Sequence, residues 1–255
     1  MPTVDATRVN LRGRDFRVAD DKPTFWARAC AGTWEPETLA ALEEVVRPGD
    51  TVLDIGAWVG PTVLFSAALG ARVVAVEADP AAQDQLARNL AVNPALAERI
   101  SVIRAAATPD GASVRLGAAR KRGDSMSSAL LTGAADTWEC PGIAPAALLE
   151  AAAVAPGAAL VVKIDIEGGE YALVPALAPL LPPWTRAVLL AVHPRILDTS
   201  GAGPDAVRTA TAKVLSAFQG WSVRVLDPGP DAAITPAEAA ARDNLTLQLA
   251  RPMLA

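Results

Sequence analysis

The residues best suited to chemistry stand at a few fixed places. Val52-Leu53-Asp54-Ile55-Gly56-Ala57-Trp58-Val59-Gly60 runs from an apolar stretch to a carboxylate, then through a glycine turn toward a helix opening at Pro61. Gly56 and Gly60 let the backbone pass close to a ligand with no Cβ in the way, and the helix start offers free N–H groups. Glu77 closes the next apolar run, 17 residues after Gly60, a separation that suits a carboxylate accepting two ribose hydroxyls. Together these residues predict a nucleoside pocket, with Ala57 in the turn and Ala78 beside Glu77 assigned to it. The rival reading is a strand, turn and helix with no ligand. A dinucleotide fingerprint needs glycine at its first, third and sixth positions, which here hold Gly56, Trp58 and Pro61. Trp58 would obstruct a pyrophosphate, so NAD and FAD are disfavoured. Asp54 instead suits a ligand with a positive ammonium or sulfonium group, as S-adenosylmethionine has.

A second group of residues reads as the reacting end. Asp165 and His193 each end an apolar run, and His193 is the only histidine in the chain. Its intrinsic pKa lies near working pH, so it is expected as the general base, or as the group that orients an acceptor, helped by Asp165. A histidine held at a strand end by Pro194 is the structural alternative. Asp165, Glu167 and Glu170 form a dense acidic cluster with three readings. Asp165 and Glu167, with His193, could hold a divalent cation that binds a substrate diol; this is not the favoured reading. The cluster could bind a cationic amine. Or Glu167 and Glu170 could satisfy amides at a helix start, which suits Glu170 best.

Alternating runs must position these residues. ETLAALEEVV (37–46) carries its leucines and valines on one helical face. From Thr51 onward strand-like and helix-like runs alternate: strands over 51–56, 72–79, 99–107, 159–165, 186–194, 221–227 and 244–250, and helices over 61–69, 80–93, 145–154, 170–177 and 204–219. Such alternation predicts an α/β fold with a mostly parallel seven-stranded sheet and helices on both faces. The last two strands are joined by a proline-rich, loop-like link (228–244) and are expected to pair antiparallel. Ligands of such sheets bind beyond the carboxyl ends of the strands, near the switch in strand order. Asp54, Glu77, Asp165 and His193 all fall there. Residues 1–36 read as an extension that covers the pocket and 37–255 as the catalytic domain. The stretch 108–143 reads as irregular. Within it, 123–141 is either a lid or a solvated loop. Trp184 and Trp221 are expected in the core, and Trp34, Trp58 and Trp138 as candidates for the pocket lining.

Composition narrows the function. The 255 residues are 51% hydrophobic and 20% charged, with a formal net charge of −5, which argues for a globular domain and against a nucleic-acid partner. Arg120-Lys121-Arg122 is the one basic cluster and reads as a solvated turn or a contact for an anionic substrate. Two cysteines at unrelated spacing form neither a disulfide framework nor a zinc site. The polar N-terminus lacks a signal peptide and no apolar stretch is long enough to span a membrane, so a cytoplasmic protein, monomeric or homodimeric, is expected.

The first segment resembles motif I of class I methyltransferases, and the whole chain resembles the FkbM family among them. Three stretches carry the resemblance: Trp34-Glu35-Pro36-Glu37, Asp54-Ile55-Gly56-Ala57-Trp58-Val59-Gly60, and Lys163-Ile164-Asp165-Ile166-Glu167-Gly168-Gly169-Glu170. It covers roughly residues 30–195, and its main departure is Trp58, where the family usually has asparagine. The resemblance implies a Rossmann-like class I methyltransferase fold with S-adenosylmethionine as cofactor. It implies that Glu35 reaches the cofactor's amino group, with a helix N-terminal charge near Pro36 as the alternative, and that adenine sits over the turn at Ala106. It also implies that Asp165 lies against the cofactor, and that Ser127 and Ser128 belong to a serine-rich segment over the acceptor. It points to O-methylation of a small natural product or sugar, in secondary metabolism such as antibiotic biosynthesis. The rivals are N-methylation of an aminosugar or other amine, an NAD-dependent oxidoreductase, and a nucleoside-binding module without catalysis.

Overall fold

Runs such as TVLDI, RVVAVE and LVVKI offer almost no polar side chain to water on either face, so strands made from them must be covered on both sides. The computed structural model, which describes residues 6–19, 21–226, 235–242 and 244–251, shows that arrangement. A hairpin of β1 (Ala6–Leu11) and β2 (Arg14–Ala19) comes first, followed by α1 (Pro23–Cys30) and α2 (Pro36–Val45). Then come β3 (Thr51–Ile55), α3 (Pro61–Ala68), β4 (Arg72–Glu77), α4 (Pro80–Ala91), α5 (Pro94–Ala97) and β5 (Ile100–Arg104). The middle of the chain holds β6 (Ala106–Ala107), β7 (Val114–Ala118), β8 (Ser127–Ser128), β9 (Thr137–Cys140), β10 (Gly142–Ile143) and α6 (Pro145–Ala152). The last part holds β11 (Leu160–Ile164), α7 (Glu170–Leu177), β12 (Thr185–Val192), α8 (Pro194–Leu197), α9 (Pro204–Ser216), β13 (Ser222–Val225), α10 (Pro236–Ala240) and β14 (Leu245–Ala250).

The main sheet has seven strands in the order β13-β14-β12-β11-β3-β4-β5. All neighbours are parallel except β14, which runs antiparallel to both β12 and β13. Numbered by sequence within this sheet and read from β5, the order is 3-2-1-4-5-7-6. The order reverses between β3 and β11, which is where the sheet's crevice opens. Side chains alternate between two cores. Val52, Val73, Val161 and Leu189 face a layer with α2, α3 and the N-terminal hairpin, while Leu53, Val74, Val162 and Leu190 face α6, α7 and α9. The expected α/β fold with helices on both faces is the one observed, including the antiparallel pairing of the final strands. Asp227 and residues 228–234 and 243, within the expected strand end and link, lie outside the described residues, while 236–240 of that link form α10.

Two expectations are corrected. The stretch 108–143 is not irregular: β8, β7 and β9 form a small antiparallel sheet, and β6 pairs with β10. Trp184 is 55% exposed rather than buried, because it stands in the turn before β12 and not within a strand. The N-terminal segment does more than cover a pocket, since Val9, Leu11, Phe16, Val18 and Trp26 join the same core as Val63 and Leu64 of α3. Among the described residues, no helix is long and apolar enough to cross a membrane.

Candidate active site

A cavity of about 450 Å³ opens at the carboxyl ends of β3, β4, β11 and β12, a size in the range of small-molecule sites. One end is walled by Ala105, Ala106, Ala107, Pro109, Val114 and Leu116, with Glu77 and Ala78 beside them. The other end is walled by Glu35, Lys163, Asp165, Glu167 and His193. Gly56, Ala57 and Trp58 lie between.

The turn after β3 is shaped by close packing. Gly56 has φ 86°, and a Cβ built on it would stand 1.8 Å from the carbonyl oxygen of Asp165. Only glycine lets the first turn and the end of β11 touch backbone to backbone. Gly60 has φ 92°, and a Cβ there would strike Leu86 of α4 at 2.5 Å. Gly60 therefore serves helix packing and does not line the cavity. Asp54 does not line it either. It is 0% exposed, and Thr62 donates to its Oδ2 at 2.5 Å. The pairing register sets Asp54 beside Lys163 on β11, whose ammonium is 3.3 Å from Asp54 Oδ1. The positive charge expected opposite Asp54 thus comes from the protein.

Lys163 was not singled out by its chemistry in the sequence. Its signal was a lone lysine inside the apolar run LVVKI. Its ammonium donates to the Gly56 carbonyl at 2.8 Å and stands 3.6 Å from Asp165 Oδ2. Burial alone would lower its pKa, but the charges of Asp54, Asp165 and Glu35 outweigh that and raise it. Glu35 sits in left-handed backbone (φ 39°) at the start of α2 and makes no side-chain cap, so it stands both at the helix N-terminus and on the cavity wall. Its carboxyl lines the cavity, and burial, then the Asp165 charge, push its pKa up to about 7.

At the alanine-walled end, Glu77 accepts backbone N–H bonds from Trp58 (2.7 Å), Ala78 (2.9 Å) and Asp79 (2.7 Å). A carboxylate offers about four acceptor positions, so these three amides leave Glu77 with acceptor capacity toward the cavity it lines. Burial pushes the Glu77 pKa up to about 7 against the pull of those amides. Trp58 packs on the N-terminal segment, its ring 4.5 Å from that of Phe25, and its indole N–H donates to the Gly123 carbonyl at 3.1 Å. Asp79 caps α4 through Oδ1 and holds the 123–127 segment through Oδ2, which accepts from Gly123 N–H (2.6 Å) and the Ser127 hydroxyl (3.1 Å). Ser127 lines the cavity. Ser128 does not: its hydroxyl donates to the Glu167 carbonyl at 2.5 Å. Of the three candidate tryptophans, Trp34 and Trp58 line the cavity, whereas Trp138 is buried beneath Arg122.

Asp165 and His193 end neighbouring strands, and their side chains meet as expected, Nε2 lying 3.4 Å from Asp165 Oδ1. Nε2 is also 3.6 Å from Glu167 Oε2. Glu170 opens α7 without making a side-chain cap, and its Oε2 accepts from Gly168 N–H at 2.8 Å, a local structural bond of the kind expected of it. Its Oε1 also accepts from the His193 N–H at 2.8 Å and lies 3.1 Å from Nδ1. This contact fixes the ring and turns Nε2 toward the cavity. Burial would lower the His193 pKa, but the Glu170 hydrogen bond and the charges of Glu170, Asp165 and Glu167 carry it up to about 10. Nε2 is thereby placed to orient a bound group or to exchange a proton with it, beside Asp165 and Glu167. Asn244 and Thr246, from the start of β14, also line this end and were not anticipated.

No family model matches the chain, and no curated protein matches it in sequence. Similar solved structures include an S-adenosylmethionine-dependent methyltransferase from Agrobacterium tumefaciens, with 13% identity, 99% of this chain and 72% of that one covered and a TM-score of 0.49. Fibrillarin from Aeropyrum pernix, solved with natively bound S-adenosylmethionine, is 14% identical, with 98% and 84% covered and a TM-score of 0.46. The C-terminal domain of precorrin-6Y C5,15-methyltransferase from Rhodobacter capsulatus is 19% identical, with 84% and 85% covered and a TM-score of 0.45. The chain has a Rossmann-like α/β fold, with a mostly parallel central sheet and helices on both faces.

Proposed function

We propose that the chain is an S-adenosylmethionine-dependent methyltransferase of FkbM type that acts on a hydroxyl of a small molecule. The observation that supports this best is the continuity of one cavity from Glu77, past the glycine turn, to Asp165 and His193 at the switch in strand order. The residues fit the cofactor. The alanine wall suits an adenine, Glu77 retains an acceptor position for a ribose hydroxyl, and Glu35 beside Lys163 offers opposite charges to an amino acid's two ends. When bound, S-adenosylmethionine supplies a methyl group that a nucleophile displaces in line from sulfur. Asp165 accepts a hydrogen bond from the acceptor's hydroxyl, His193 presents Nε2 to the same place, and the hydroxyl's proton leaves toward the Asp165–Glu167 pair. Such positioning is a large part of catalysis in a two-reactant step. The net charge of −5 favours a small acceptor over a nucleic acid, and the two free cysteines fit a reducing, cytoplasmic setting.

The carboxylates around His193 also favour a second reading, an amine acceptor, which needs less help in losing its proton. Calorimetric titration with S-adenosylhomocysteine and with NAD, followed by a tritiated methyl-transfer assay across matched alcohols and amines, tests both. The expected result is binding of S-adenosylhomocysteine alone and label on an alcohol. Label only on amines would replace the first reading with the second, and failure to bind S-adenosylhomocysteine would end both.

A further inference from the structure

Asp165 and Glu167, from the loop after β11, and His193, from the end of β12, converge on the cavity wall, and each offers one ligand atom, all within 4.8 Å of one another. Ligands set at right angles around a cation at about 2.1–2.4 Å stand about 3.0–3.4 Å apart. The His193 Nε2 separations of 3.4 Å and 3.6 Å from the two carboxylates lie at or close to that spacing. His193 is 4% exposed and lines the cavity, and among the described residues its Nε2 contacts only these two carboxylates. Glu170, behind the ring, binds Nδ1, the outer support that a metal-binding imidazole usually has.

We propose that Asp165, Glu167 and His193 hold one first-row divalent metal ion, and that the acceptor carries two neighbouring oxygens that bind to it. One nitrogen beside two carboxylates suits Mn²⁺ or a similar ion better than Ca²⁺. Three protein ligands leave positions open toward the cavity, and a pair of adjacent hydroxyls fills two of them. The metal site stands on its own geometry; the acceptor class rests on the methyl-transfer reading.

The test titrates the full-length chain with MnCl₂ and follows loss of the free-ion signal by electron paramagnetic resonance. One ion per chain is expected, bound roughly tenfold or more weakly in Asp165→Asn, Glu167→Gln and His193→Gln, and unchanged in Glu139→Gln on the exposed strand β9. Circular dichroism checks each fold. Should His193→Gln not fold, Glu167→Gln, whose side chain is partly exposed, decides the matter. Adding 1,2-cyclohexanediol should alter the bound-ion spectrum, and cyclohexanol should not. No bound Mn²⁺, or equal binding in Asp165→Asn and Glu167→Gln, would overturn the site, and equal responses to the two alcohols would overturn the acceptor class. S-adenosylhomocysteine binding, measured separately, shows whether the methyl-transfer reading stands regardless of the metal result.

Discussion

The two ends of the cavity are held by different kinds of bond. At the alanine-walled end, main chain holds side chain: Glu77 is fixed by three backbone amides, and Asp79 fixes the 123–127 segment. At the reacting end, side chain holds side chain, with Asp54, Lys163, Asp165, Glu167, Glu170 and His193 linked through opposite charges. A carboxylate fixed by amides keeps its place when its neighbours change identity. A charge fixed by other charges cannot be removed alone, because its partner is left buried and uncompensated.

The largest effect should therefore come from Lys163→Met. It strands Asp54, which is 0% exposed, and should cost about 3–5 kcal/mol of stability in urea denaturation. Adding Asp54→Asn should recover part of that loss, since neighbouring changes do not add. A single variant as stable as the parent would dissolve the contrast between the ends. Next comes Glu77→Gln, which should weaken S-adenosylhomocysteine binding about tenfold to a hundredfold by calorimetry through loss of charge-assisted hydrogen bonds. The same variant has a pH signature. With its pKa raised from 4.5 to about 7 in the fold, Glu77 holds its proton more tightly folded than unfolded. Its contribution to stability should be fully present below pH 4.5, fall as pH rises to about 7, and level off above. The variant should flatten that slope in a series of melts. Trp58→Phe removes only the indole bond to Gly123. It should cost about 1 kcal/mol and speed amide exchange across 123–128 without disturbing His193. Asp15→Ala, which breaks an exposed ion pair with Arg8 on the hairpin, should leave Tm unchanged, because such pairs contribute little.

The same contrast explains what could be read from the chain alone. The sheet was legible because its strands are apolar runs separated by proline and glycine breaks, and the meeting of the glycine turn with Glu77 because it follows local spacing along β3, α3 and β4. The three-stranded sheet was not legible. VRLGA, SS and TWEC are too short and too mixed to show a period of two, and their pairing joins residues about 10–25 apart. The setting of His193 was hidden for a related reason, since its ring is held by Glu170, 23 residues away, across the gap between α7 and β12. Lys163 stood inside a quoted motif, yet its role depends on the β3–β11 register, which brings Asp54 beside it. Asp54 and Gly60 were placed on the right segment, but burial and the contact with Leu86 turn both toward holding the scaffold.

The backbone contact at Gly56 has a bearing on redesign. With no room for even a methyl group between that residue and the Asp165 carbonyl, the donor-side turn and the acceptor-side loop form a single exchange unit. A chimera that imports residues 54–60 from a distant homologue without also importing 163–170 should fit poorly. New acceptor preference is more readily grafted at 125–131 or 244–246, which line or flank the cavity beyond that seam.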